Sequence, residues 1–265
     1  MSIYHKEEPA YFDKAMQSIW DEQTEKPSEI ILVLDGPLNR ELYRAINKWK
    51  GVLDDVLKIT RLDKNSGLAI ALNTGLKKCQ YEYIARMDTD DISNEKRFES
   101  QLSFLEKNPN IDIVGTYVSE IDENGEEIKP LVKFPLTHNL LYRFFSKRDP
   151  VAHPSVMFRR SFFDKSGPYP VDVLLAEDTL LWYKGFLNNC NFANIPYIGL
   201  KFRRSSNFYD RRADKKKSIN LLQYRINTIN KELGYNYLAN IYAIAYFLIS
   251  ISPKYVKKIM YELFR

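Results

Sequence analysis

The stretch Tyr83-Ile-Ala-Arg-Met-Asp-Thr-Asp-Asp91 is a short, mostly apolar run that ends in three aspartates within four residues. A run of that length reads as a buried strand. Upstream, Gly67 to Lys78 reads as a helix, Val56 to Thr60 as a strand, and Leu42, Ala45, Ile46 and Trp49 line another helix. Farther back, Glu29-Ile-Ile-Leu-Val-Leu-Asp35 is a second buried-strand run, preceded by Tyr11, Phe12, Ala15, Met16, Ile19 and Trp20 at helical spacing. Downstream, Asn94 is expected to cap a helix with Phe98, Leu102 and Leu105 on its inward face. Repeated strand–helix units predict an α/β fold with a mainly parallel central sheet covered by helices on both faces.

In such sheets the ligand crevice lies beyond the carboxyl ends of the strands. Two acidic groups stand there, Asp35 in Asp35-Gly-Pro37 and the cluster Asp88, Asp90 and Asp91. Three carboxylates this close repel one another, and a hard divalent cation resolves the conflict, so Mg²⁺ or Mn²⁺ is the expected occupant. A solvated turn with a helix cap is the bland reading. Glu177-Asp178 also has two readings: it complements the amino terminus of the following helix, or one carboxylate takes a proton from an acceptor hydroxyl. His153, beside Pro154, is either structural or part of an acceptor pocket. No Gly-x-Gly-x-x-Gly run follows a strand and no Walker-type lysine occurs, which removes the usual support for dinucleotide binding and P-loop ATP hydrolysis.

A chain of 265 residues, 45% hydrophobic and 28% charged, is long enough for one large domain with a smaller appendage. Cys79 and Cys190 are too few for a disulfide framework. Charges at Lys6, Glu7, Glu8 and Asp13 break any signal-like apolar run, so the cytoplasm is expected. The net charge of +5 is concentrated between Lys201 and Lys217, where eight Lys or Arg meet two Asp. No RRM, KH, zinc-finger or helix-turn-helix signature accompanies it, and no nucleic acid is expected as a partner.

Past the acidic cluster, a strand over Ile111 to Glu120, a turn at Asn124-Gly125 and a returning strand over Ile128 to Phe134 are expected. An amphipathic helix (136–148), a strand over His153 to Phe158, a helix from Glu177, a strand beyond residue 190 and a helix from Ala213 to Glu232 follow. Leu233 to Pro253 carries no charge and is followed by Lys254, Lys257 and Lys258. Its apolar part, Tyr237 to Ile251, is shorter than the roughly 20 residues of a bilayer crossing. It suits a helix lying in the plane of an anionic membrane or an ordinary core helix.

These residues together resemble the family 2 glycosyltransferases, especially bacterial enzymes of capsule, exopolysaccharide and lipopolysaccharide assembly. The resemblance is carried by Met1-Ser-Ile-Tyr4, Leu34-Asp-Gly-Pro37, Lys64-Asn-Ser-Gly-Leu-Ala69, Ala71-Leu-Asn73, Ala85 to Ser93, His153-Pro-Ser155 and Ala176-Glu-Asp178, in order over about the first 180 residues. It implies a GT-A fold in residues 1–212, with a nucleotide-sugar half to about 110 and an acceptor half from 111. Residues 213–265 are expected to form a helical extension that either lies on the membrane or packs in the core. It implies an inverting displacement from a nucleotide-diphosphate sugar, a UDP-sugar, onto a glycan or lipid-linked acceptor at the inner face of the cytoplasmic membrane.

By the same resemblance Asp35 holds the base, Asp88 the ribose or sugar, and Asp90 the metal, with Asp91 sharing it or supporting its loop. Asp178 is the general base with Glu177 beside it, and Arg86 and Arg203 or Arg204 contact phosphate. The first strand is shorter than the family pattern, because Met1 directly precedes Ser2-Ile-Tyr4. The Gln-x-x-Arg-Trp signature of processive synthases is absent, with only Leu181-Trp182 near Glu177, which favours single addition. A nucleotidyltransferase and a noncatalytic glycan-binding or assembly subunit of the same fold are the alternatives.

Overall fold

The computed structural model describes residues 1–171, 176–205 and 215–264. Residues 206–214 of the basic block, and with them the expected start of its helix at Ala213, lie outside the described residues. The first half follows the expected alternation. Strands β1 (Ser2–Ile3), β2 (Ile30–Leu34) and β3 (Leu57–Arg61) form a parallel sheet in the order β1-β2-β3. Helices α1 (Pro9–Ile19), α2 (Arg40–Leu53) and α3 (Leu68–Leu76) connect or cover them. All five β2 residues are buried because the strand has packing on both sides. Leu32 and Leu34 share a core with Phe12, Met16, Ile46 and Trp49, while Ile31 and Val33 meet Ala71 of α3. The two-residue β1 is extended by Met1, whose amine donates to the Ile31 carbonyl at 2.9 Å and whose carbonyl accepts from Val33 N at 3.0 Å.

The second sheet is mixed. It contains β4 (Tyr83–Ala85), β5 (Ile92–Ser93), β6 (Ile113–Ile121), β7 (Glu127–Val132), β8 (Met157–Arg159) and β9 (Phe192–Arg203). Its path is β4-β8-β6-β9-β5, with β7 on β6, and among the described residues β6–β9 is its one parallel pairing. Every pairing of the three-stranded sheet is parallel, whereas the second sheet is mostly antiparallel. A cavity of about 380 Å³ lies between β2 and β4, bordered by Met1, Ile31, Gly75, Ala85 and Phe98. Asp88, Asp90 and Asp178 are not among its lining residues.

Helix α4 (Arg97–Lys107) starts later than expected: Lys96 is its cap residue, and Asn94 accepts from Lys96 N at 3.4 Å and from the Tyr197 hydroxyl. At the β6–β7 hairpin Gly125 adopts φ +92°, and Asp122 Oδ1 accepts from Asn124 N and Glu126 N. The strand expected over 153–158 is divided. His153–Ser155 is a 3-10 turn closed by Ser155 N on the Ala152 carbonyl, since Pro154 has no N–H for a ladder, and only Met157–Arg159 pairs. Helices α5 (His138–Phe145), α6 (Arg160–Ser166) and α7 (Glu177–Leu187) pack an aromatic second core of Phe145, Phe158, Phe162, Trp182, Phe186 and Phe192.

The extension comprises α8 (Lys215–Tyr224), a π turn at Arg225–Ile229, α9 (Asn230–Glu232), α10 (Tyr237–Ile251) and α11 (Lys254–Phe264). The π turn interrupts the helix expected to run continuously to Glu232. Helix α10 is not the core helix considered above. Only Ala239 is buried, and Tyr237, Ile241 and Leu248 are 73%, 53% and 57% exposed. Among the described residues no helix is long and apolar enough to cross a membrane.

Candidate active site

The acidic segment lies between two strands held by different partners: β4 pairs with β8, and β5 pairs with β9. Within it, one carboxylate oxygen each of Asp88, Asp90 and Asp91 lies within 4.8 Å of the others. Asp91 is buried. Its Oδ1 accepts from Arg203 N at 2.7 Å, while its Oδ2 has no hydrogen-bond partner. Burial, then Asp90 and Asp88, push the Asp91 carboxyl well above its ordinary range. A buried oxygen with no donor inside a cluster of like charges fits a hard divalent cation with oxygen ligands. A cation held by these three residues would offset the charge that develops on a departing diphosphate.

Arg86, directly after β4, supports the cluster. Its guanidinium is buried and pairs with Asp88, and its Nε makes no hydrogen bond. Burial works against the Arg86 cation, but Asp88 outweighs it, so its pKa is raised. Arg97, which the sequence reading passed over, lies fully buried beneath, donating to the Arg86 carbonyl at 2.6 Å and to Gln101 at 3.0 Å. Burial, then Arg86, lower Arg97 to about 9. Its spacing four residues before Gln101 on one helix face was the available signal.

Arg203 is buried and its Nε and Nη1 are spent within the protein, while its Nη2 has no hydrogen-bond partner among the described residues. Its Nε donates to the Asp90 carbonyl at 2.8 Å, its Nη1 donates to the Asp122 and Glu123 carbonyls, and its guanidinium stacks 4.2 Å over Tyr11. Arg204 pairs with Glu120 at 3.1 Å and stacks on Tyr261. Asp35 stands at the end of β2, as expected. Its two oxygens accept from Ser66 N at 2.6 Å and Gly67 N at 3.0 Å, which ties the loop before α3 to the strand. Gly36 follows because φ is +87° there, and a Cβ would lie 2.5 Å from Asn65 N.

Glu177 and Asp178 open α7 and face the same charges as the cluster. Burial first, opposed by Arg86 and reinforced by Asp88, raises the Glu177 carboxyl. Asp178 Oδ1 accepts from Thr179 N at 2.8 Å. Burial, then Asp149 and Glu177, push Asp178 up to about 7, with Thr179 and Arg86 opposing. A carboxylate with that proton affinity suits general-base work near neutral pH. His153 is buried, with Nε2 2.9 Å from the Tyr169 hydroxyl and its ring edge-on to Trp182. Burial, then Arg86, hold it well below its usual pKa, so it is neutral. Tyr169 is tied to Asn73 by two reciprocal 2.8 Å hydrogen bonds. Asp149 and Tyr169 escaped the sequence reading because neither sits in a local motif.

Residues 2–167 match glycosyl transferase family 2. The chain belongs to that family. It is 33% identical over 266 residues to the amylovoran biosynthesis glycosyltransferase AmsE of Erwinia amylovora, covering 99% of this chain and 96% of that protein. It is 32% identical to the UDP-Gal:alpha-D-GlcNAc-diphosphoundecaprenol beta-1,3-galactosyltransferase of Escherichia coli, covering 100% and 92%. The fold is similar to that of the mannosyltransferase PcManGT from Pyrobaculum calidifontis, with a TM-score of 0.62 at 15% identity over 98% of this chain and 77% of that one. The chain is therefore an inverting, metal-dependent glycosyltransferase of nucleotide-diphosphate sugars in glycan biosynthesis, with the GT-A architecture. The nucleotidyltransferase and noncatalytic-subunit alternatives fall away.

Proposed function

We propose that this enzyme moves a hexose from a UDP-sugar to a sugar carried on a lipid diphosphate, at the inner face of the cytoplasmic membrane. The observation that carries this reading is the joint placement of the acidic cluster and the Glu177–Asp178 pair around Arg86. Similarity to the Escherichia coli galactosyltransferase supports the donor and acceptor class. Asp35 receives the base, Asp88 the ribose or sugar, and Asp90 and Asp91 a Mn²⁺ or Mg²⁺ ion. Arg86 holds Asp88 in place beside the donor and faces its diphosphate, and Arg203 holds the loop that presents the metal ligands. The neutral His153–Tyr169 pair forms a wall of the acceptor pocket.

Asp178 takes the proton as the acceptor oxygen bonds to the anomeric carbon and the bond to the diphosphate oxygen breaks. Nucleoside diphosphate leaves with its electron pair. Residues 1–212 act as the transferase domain, and 213–265 as the extension that brings it to the bilayer. The exposed apolar surface of α10, followed by Lys254, Lys257 and Lys258, supports that contact. A panel of UDP- and GDP-sugars, each tested with synthetic lipid-diphosphate monosaccharides in Mn²⁺ or Mg²⁺, tests the reading. Transfer from a UDP-sugar to a lipid-linked acceptor is expected. Transfer only to water-soluble glycans, or only from GDP-sugars, would overturn it.

A further inference from the structure

Asp149 lies between α5 and Pro150, outside the motifs that carry the family resemblance. Both of its oxygens accept from the Thr179 hydroxyl, at 2.9 and 3.1 Å. Arg225, in the π turn of the extension, reaches Asp149 Oδ1 at 3.4 Å. It is itself anchored by a 2.7 Å bond from Nη1 to the Phe145 carbonyl and by stacking on the Phe145 ring at 4.6 Å. Thr179 directly follows Asp178 and donates its amide to that carboxylate. A chain of contacts thus runs from the extension to the first turn of α7.

We propose that Asp149, held by Arg225, is a positioning residue that sets the orientation and charge environment of Asp178 for acceptor activation. The proposal rests on Asp178 being the acceptor base. An asparagine would take the Thr179 hydrogen bond equally well, so the ionised form adds a negative charge beside another carboxylate. The Asp149 side chain is 34% exposed, with Arg225 against its Oδ1. After burial it is the largest influence raising Asp178. The other groups acting on Asp178 are Glu177 on its own helix, Arg86 at the end of β4 and Tyr169 after α6. Lys217 of α8 acts on Glu177 in turn. The extension therefore sets a cation behind each carboxylate neighbour of the base.

The test compares Asp149→Asn and Arg225→Gln in the full chain. Removing the negative neighbour makes Asp178 easier to ionise, so the acidic limb of kcat/KM should move to lower pH by about 0.5–1 unit in Asp149→Asn. Removing the cation should move the limb upward in Arg225→Gln. Carbon-13 titration of the Asp178 carboxyl, assigned with Asp178→Asn, should show the same two shifts without relying on turnover. Rates lowered evenly at all pH values, with an unmoved carboxyl titration, would leave Asp149 a purely structural residue and overturn the proposal. Should Asp149→Asn fail to fold, the upward shift in Arg225→Gln decides alone. If Asp178→Asn retains full transfer, the base assignment is the part that fails. A titration that still shifts then separates the two failures.

Discussion

Arg203 holds the loop of Asp91 through both its backbone and its side chain: its N–H donates to Asp91 Oδ1 at 2.7 Å while its Nε donates to the neighbouring Asp90 carbonyl at 2.8 Å. The pairing of Ile121 with Arg203 fixes the height at which β9 meets the acidic segment. Arg203→Met removes the donors to the Asp90, Asp122 and Glu123 carbonyls and should cost about 3 kcal/mol. Urea unfolding in chelator measures this apart from metal binding. Wild-type stability would show that the bonds are replaced by water at no cost.

The metal assignment predicts that a UDP-sugar raises the melting temperature in Mn²⁺ or Mg²⁺ and not in excess chelator. Asp90→Asn should weaken donor binding at least about tenfold, because it removes a charged ligand from the proposed ion. Calorimetry with and without metal reads both effects. Equal donor affinity in chelator would remove the cation from donor recognition.

Asp178→Asn should lower transfer by roughly 10²- to 10⁴-fold while donor affinity stays near that of the parent. Glu177→Gln is the companion variant, and loss of transfer in it alone would place the base one position earlier. The pH sign follows from the raised carboxyl. Above about 7 Asp178 is ionised and able to accept a proton; below, it is protonated and idle. Transfer should therefore fall about tenfold per unit as pH drops below that point, and a profile flat from pH 8 to 5 would exclude Asp178.

The exposed face of α10 predicts reversible binding to anionic vesicles. Ile241→Asp with Leu248→Asp changes two exposed positions, so the fold should persist while cosedimentation falls more than about tenfold. Added salt should weaken binding only in part, since the apolar contribution is unscreened. Unchanged cosedimentation of the double variant would assign this surface elsewhere.

The alternation from α1 to α4, the strand-terminal placement of Asp35 and the cation-binding character of Asp88, Asp90 and Asp91 were all legible locally. Each depends on the period of apolar residues or on the spacing of like charges. The hairpin at Asn124-Gly125 was legible from its turn residues, since a turn needing φ +92° selects glycine. Legibility ended where strands pair by long-range register. Nothing near Ile113 announces that its parallel partner is Phe192, and so the mixed order of the second sheet was not readable.

The functional residues divide in the same way. Sequence by itself determined the carboxylates that can do chemistry, because a strand end crowded with charge carries its own physical demand for a counter-ion. Only the tertiary structure decided the partners. It turned Arg203 inward to hold the acidic loop, buried Arg97 beneath Arg86, and set Asp149 and Arg225 behind Asp178. It also left α10 exposed where its composition allowed burial. These outcomes depend on which distant segments meet, and hydrogen-bond partners and desolvation exist only after that meeting.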